Sequence, residues 1–214
     1  MPRKRGPGRP RKLPVDDQRA LTLAAARHVF AAQGPQGATI EEIAKQAGLT
    51  RQTVYELFGD KHSLFAQTVA DVEEQAYATI AERGSGDADL DLKSWARTNY
   101  ANMFAYVAEN PDALPVLQEA ERAGDPALTR LRSRLAEIYT EASGRRWAEY
   151  GIEPGRADTA LVAMYFAMTE ALVNLNWPDS APDRDALIDL LTEFTIGGVL
   201  RLYSQTPDVI ERMR

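Results

Sequence analysis

"TIEEIAKQAGLTRQTVYELFGDKHSLF", residues 39–65, decides the fold. Thr39 precedes an apolar set spaced for one helix face, Ile40, Ile43 and Ala44, and Glu42 follows it by three positions. That is a capping box, in which the hydroxyl accepts from an otherwise unpaired amide of the first turn. Gly48 stands where a helix closes in the left-handed region. Almost at once Thr50 is a second N-cap, opening "RQTVYELF", and Gly59 with Asp60 breaks the chain again before a helix that starts at Lys61. Two short helices joined by a glycine-containing turn make a helix-turn-helix. In the second, Val54, Leu57 and Phe58 share a face and pack on Ile40, Ile43 and Ala44, while Arg51, Gln52, Thr53 and Tyr55 face outward. An outward helix start with Arg and Gln suits the major groove, where Arg pairs with guanine and Gln with adenine. Arg51 and Gln52 are the expected base readers.

Outward from this motif, apolar residues keep helical spacing and no sustained period-2 run occurs, so the chain reads as all-α with about nine helices. The first covers about Asp17 to Gln33, with Ala26, Val29 and Phe30 as its stripe and "GPQG" as its end. A long helix from Lys61 runs to a joint at "GSGDAD", and five more follow at about Leu90–Glu109, Ala113–Ala123, Pro126–Tyr150, Arg156–Asn176 and Asp183–Tyr203. The domains expected are a basic disordered arm (1–16), the helix-turn-helix DNA-binding domain (17–65) and a helical bundle (66–214).

The 214 residues carry no Cys and a net charge of −6, which removes disulfides and thiolate chemistry. Charge is uneven: residues 1–65 hold 11 Lys and Arg against 6 Asp and Glu, and the remainder holds 14 against 25. One end is therefore suited to a polyanion. The arm "KRGPGRPRK" has no acidic residue, and its "GRPRK" resembles the AT-hook, an Arg-Gly-Arg-Pro peptide that lies in A·T-rich minor grooves, with Pro7 in place of the hook's first Arg. Arg5, Arg9 and Arg11 are its expected DNA contacts. No apolar run reaches the roughly 20 residues of a membrane span, and "LPVDDQ" stands where a signal peptide would be apolar. No nucleophile elbow, P-loop or His-Glu-x-x-His motif is present, so an enzyme is not expected, nor a cofactor, nor a metal site at His28 or His62.

The stretch from "HVFAAQG" through the Thr-x-x-x-Ile-Ala core, the "AGLT" turn, the Tyr-x-x-Phe of the recognition helix and Lys61 and Leu64 resembles the DNA-binding signature of the tetracycline-repressor family of bacterial transcription regulators. The resemblance implies a dimeric, ligand-responsive regulator, a repressor that releases a palindromic operator on binding a small and largely apolar effector, with residues 66–214 as its effector-binding and dimerisation domain. The alternative is a ligand-independent architectural DNA-binding protein. It implies Thr39, Tyr55 and Lys61 as phosphate contacts beside Thr50, Arg51, Gln52 and Thr53, and a bacterial cytoplasmic, nucleoid-associated location. Gln52 stands where the family often has Gly, and Leu57 where it often has His or another polar residue, so the operator is this chain's own. Trp95, Met103, Phe104, Tyr139, Trp147, Tyr165 and Met168 are the candidate effector contacts, on residue types that core and pocket walls share. Met164, Ala171 and Leu175, then Leu191, Phe194 and Gly198, are the candidate homodimer interface of the last two helices.

Overall fold

The computed structural model describes residues 13–85, 90–148, 156–173, 175 and 182–212. Among them are ten helices and no strand: α1 (Val15–Gly37), α2 (Ile40–Ala47), α3 (Arg51–Phe58), α4 (Lys61–Ser85), α5 (Leu92–Glu109), α6 (Ala113–Arg122), α7 (Ala127–Ala148), α8 (Arg156–Val173), α9 (Arg184–Gln205) and α10 (Pro207–Glu211). They form two compact units, Met1–Asp71 and Val72–Arg214. The arm with Arg5, Arg9 and Arg11, and most of the "GSGDAD" joint, lie outside the described residues.

In the first unit the regular part of α1 stops at Gly34, whose φ of 66° is the left-handed region that glycine tolerates, and Pro35 follows with no amide to donate. The "GPQG" breaker therefore acts where the sequence places it. At α2, Thr39 Oγ1 accepts from the Glu42 amide at 3.2 Å. The Glu42 carboxylate turns instead to Gln33 Nε2, 2.6 Å away. Gly48, also at φ 66°, closes α2, and the next amide, of Leu49, reaches back to the Ala44 carbonyl at 2.9 Å. Ala26, Val29, Phe30, Ile43, Val54 and Leu64 are almost wholly buried, with Phe30 edge-on to Phe65 at 4.9 Å. Each larger apolar side chain removed from water contributes about 1.5–3 kcal/mol.

The second unit begins within α4, where the buried Glu73 carboxylate is compensated by Arg130 at 2.7 Å and Arg134 at 3.8 Å. Asp91 caps α5 by accepting from the Ser94 amide at 2.7 Å. Around it an aromatic cluster fills the interior: Tyr100 lies 4.6 Å from Tyr165, which lies 5.3 Å from Tyr139 and 5.1 Å from Phe166. Two details depart from the sequence reading. α8 ends at Val173, which leaves Leu175 outside the helix, and a tenth helix starts at Pro207, whose fixed φ and missing amide suit a first helical position.

Candidate DNA-binding face and ligand cavities

The exposed face of α3 is built by burying the opposite one. Val54 and Phe58 are 0% and 5% exposed, Leu57 is half-buried, and Tyr55 is 45% exposed. Arg51 and Gln52 are exposed beside it, and Thr53 is half-buried. Thr50 starts the helix twice over, its hydroxyl accepting from the Thr53 amide at 3.1 Å and sharing a hydrogen bond with the Thr53 hydroxyl at 2.9 Å. Arg51 meets Glu41 of α2 at 3.4 Å with both side chains largely in solvent, a weak pair that leaves the guanidinium available. Gln52 Nε2 donates to Glu56 at 2.8 Å. Thr39 is exposed at the start of α2. Lys61 behaves differently: its ammonium donates to the carbonyls of Ala38 at 2.9 Å and Gln36 at 3.3 Å, so it ties down the turn before α2.

Sequence reasoning missed Arg19. From α1 its guanidinium donates to the Leu57 carbonyl at 2.9 Å and to Gln67 Oε1 at 2.5 Å, and it covers the Phe58 ring at 4.6 Å. No local pattern announces such a contact, because its partners are distant in sequence.

Two cavities lie inside the second unit. The larger is lined by α4 to α8, including Ile80, Met103, Leu117, Leu131 and Phe166. Its polar lining is Tyr106, Arg132, Thr169 and Glu170, and Arg132 is paired with Glu170, which also accepts from Gln118 at 3.2 Å. Arg132, Phe166 and Glu170 also line an outer groove of α7 and α8, so the ion pair stands between cavity and surface. The second cavity takes Trp95, Tyr139, Trp147 and Tyr165 from the candidates. Burial raises the Tyr139 hydroxyl to about 12 and Tyr165 well above the ordinary tyrosine value. Phe104 is buried and lines neither cavity.

Met168 faces a groove between α8 and α9 with Met164, Phe194 and Gly198. On this side Met164 is 51% and Phe194 62% exposed, and Ala163, Ala167 and Ala171 are exposed too. Leu191 is a correction: at 4% exposure it packs into the unit's own core with Leu187 and Ile188, because α9 is rotated so that Leu190, 59% exposed, shares the outer face with Phe194. A Cβ added at Gly197 or Gly198 would meet nothing within 4 Å. The glycines are therefore not needed by the packing of this chain.

An all-α chain whose first unit presents an exposed recognition helix on a buried scaffold is a helix-turn-helix DNA-binding protein. Residues 23–68 match the family profile of bacterial regulatory proteins, tetR family. The chain is similar over 91% of its length to the HTH-type transcriptional activator FasR of Mycolicibacterium smegmatis, at 23% identity and covering 88% of that protein. Over 71 residues, 33% of this chain and 37% of the relative, it is 31% identical to the HTH-type transcriptional repressor AcnR of Corynebacterium efficiens. The fold is shared with FadR from Bacillus subtilis, solved in complex with stearoyl-CoA, at a TM-score of 0.67 and 20% identity, over 84% of this chain and 98% of that one. Residues 23–68 thus carry the DNA-binding region of the bacterial tetR-family regulators, and the fold is shared with solved structures of that family. Among the described residues no helix is long and apolar enough to cross a membrane.

Proposed function

We propose that the chain is a homodimeric, effector-controlled repressor that holds a near-palindromic operator and releases it when an amphipathic acyl compound enters the larger cavity. The observation that carries this reading is the chemistry of that cavity, a lining almost wholly of apolar side chains with the Arg132–Glu170 pair at its polar end. An acyl chain would lie against Met103, Leu117, Leu131 and Phe166, and its polar head would compete for the ion pair. The stearoyl-CoA bound to FadR, a protein of like fold, supports an acyl thioester as the first compound to try.

Arg51 and Gln52 read bases, Thr39, Thr50, Thr53 and Tyr55 contact phosphates, and Lys61 holds the turn that presents Thr39. Arg5, Arg9 and Arg11 add minor-groove or phosphate contacts. If about three charges of the arm are engaged, removing it flattens the slope of log K against log salt by roughly 2.7. One helix, α4, supplies both Lys61 and the cavity residues Ala76 and Ile80, which gives effector and operator a common element to bias. The test is stearoyl-CoA added to the protein on its operator, with melting temperature and DNA anisotropy read together. A raised melting temperature with weakened operator binding is expected. A protein whose operator affinity ignores acyl-CoA esters of every length would instead be ligand-independent.

A further inference from the structure

The smaller cavity carries chemistry that the acyl-effector reading leaves unused. It is walled by α5, α7, α8 and α9, and most polar groups on it have partners. The Thr195 and Tyr100 hydroxyls share a hydrogen bond of 2.6 Å, Ser143 Oγ donates to the Thr140 carbonyl at 3.1 Å, and Asn99 Nδ2 donates to the Trp95 carbonyl at 2.8 Å. Three groups keep unused hydrogen-bonding capacity, all of them buried: Trp95 Nε1–H and Asn99 Oδ1 have no partner, and the Tyr165 hydroxyl meets only the Tyr139 hydroxyl. Their residues are 8%, 2% and 8% exposed. Native interiors leave few such groups, and three on the wall of one cavity amount to an unfilled set of one donor, one acceptor and one hydroxyl that can be either.

We propose that this cavity is a second ligand site, for an uncharged molecule with a compact ring-containing body and a head that both donates and accepts, a carboxamide or a hydroxyl. The head's oxygen accepts from Trp95 Nε1–H, its N–H or O–H is taken by Asn99 Oδ1, and the Tyr165 hydroxyl completes it. The body lies among Trp95, Tyr139, Trp147 and Tyr165, whose rings offer faces and edges to another ring.

Charge decides against the obvious alternatives. The lining holds no cationic side chain. The Arg146 guanidinium stacks on the Trp95 ring at 4.8 Å but is committed to the carbonyls of Leu90 at 3.2 Å and Ala142 at 2.9 Å. A carboxylate head would be desolvated without a counter-charge and would place its oxygens against the Asn99 carbonyl oxygen. A wholly apolar ligand would leave the Trp95 N–H and the Asn99 oxygen unpaired. The site stands apart from the acyl cavity, sharing none of its lining residues, so it does not depend on the effector reading.

The test follows the indole N–H resonances of the full ¹⁵N-labelled chain, whose three tryptophans are Trp95, Trp147 and Trp177. Trp95→Phe assigns the relevant one. Benzamide and 2-phenylethanol, both uncharged, should each shift the Trp95 resonance saturably, and benzoate should not. Asn99→Leu should weaken benzamide about tenfold, the loss of one hydrogen bond. Tyr165→Phe, which removes only the hydroxyl, should weaken it with the cavity shape kept, and this isosteric change serves where Asn99→Leu disturbs folding. The proposal is overturned if neither uncharged probe moves the resonance at millimolar concentration, if benzoate binds as well as benzamide, or if Asn99→Leu and Tyr165→Phe leave benzamide affinity unchanged. Persistent magnetisation transfer from water to the Trp95 N–H in the presence of either probe would show that ordered water completes the three groups, and would also overturn it. Release of operator DNA by stearoyl-CoA is read independently, so the two readings fail separately.

Discussion

Arg19 and Leu57 are joined by a hydrogen bond of 2.9 Å from a guanidinium on α1 to a main-chain carbonyl in the last turn of α3. That carbonyl is one of the four a helix cannot satisfy for itself, and a cation is well placed at the negative end of the helix. The hydrogen bond fixes where α3 ends, and with it the direction in which Arg51 and Gln52 project.

Arg19→Ala should therefore cost about 1–2 kcal/mol of stability in the first unit and weaken specific operator binding, although every side chain of the α3 face stays in place to meet DNA. Arg19→Lys should recover stability better than specificity, since an ammonium can reach one acceptor but cannot cover the Phe58 ring with a planar fork while holding Gln67. Urea unfolding beside anisotropy on operator and random DNA checks both. Wild-type operator affinity in Arg19→Ala would remove Arg19 from the positioning of α3.

Base reading separates from phosphate binding by the same pair of measurements. On the proposed role of Arg51 and Gln52 as base readers, Arg51→Ala or Gln52→Ala should cost roughly 1–3 kcal/mol on the operator and little on random DNA, the phosphate-binding groups being kept. Tyr55→Phe should weaken both alike. Glu41→Gln, which removes the 3.4 Å partner of Arg51, should leave operator binding equal or tighter. Uniform weakening by Arg51→Ala would assign that residue to phosphates.

The outer face of α8 and α9 is apolar where one chain alone gives no reason for it. Phe194→Ser and Leu190→Ser, at 62% and 59% exposure, should leave the melting of an isolated chain nearly unchanged and raise the dimer dissociation constant about tenfold or more. Gly198→Arg should do the same, because a side chain there is free to enter open space in one chain and would keep two backbones apart. Sedimentation velocity across a dilution series reports the result. A wild-type chain that is monomeric at micromolar concentration would refute the pairing.

What the sequence showed and what it hid divide by the range of the interaction. Thr39, Gly48, Thr50 and Gly59 act on amides and carbonyls within a few residues, so α2 and α3 could be placed closely. Val54 falls with Phe58 on the buried face by helical period, and Tyr55, a step of about 100° further round, falls outside it. The cavities were not legible in this way. Trp95 and Phe104 look alike as buried aromatics of α5, and only packing against α7, α8 and α9 puts one at a cavity and the other in solid core. Leu190 and Leu191 are neighbours of identical type whose opposite fates depend on the rotation of α9. The spacing of Leu190 with Phe194 and Gly197 was the available signal, and it competed with an equally regular stripe through Leu187, Leu191 and Phe194.

The buried tyrosines make the second unit sensitive to alkali. Burial raises Tyr139 to about 12, drives Tyr165 well above its usual value of 10.0 and raises Tyr100. Below about pH 10 both folded and unfolded chains keep these protons, and their contribution to stability is whole and independent of pH. Above it the unfolded chain releases protons that the folded chain retains, so stability falls as pH rises, by about 1.4 kcal/mol per pH unit for each tyrosine still protonated in the fold. The window for Tyr139 closes near 12, where the folded phenol also ionises. Urea unfolding at intervals between about pH 9 and pH 11 should show the decline, and Tyr139→Phe should remove one tyrosine's share of the slope while leaving that of Tyr165 in place. A stability that is flat across this range, or a Tyr139→Phe variant with the wild-type slope, would mean that the Tyr139 hydroxyl ionises as freely in the fold as in the unfolded chain, and that the aromatic cluster admits water.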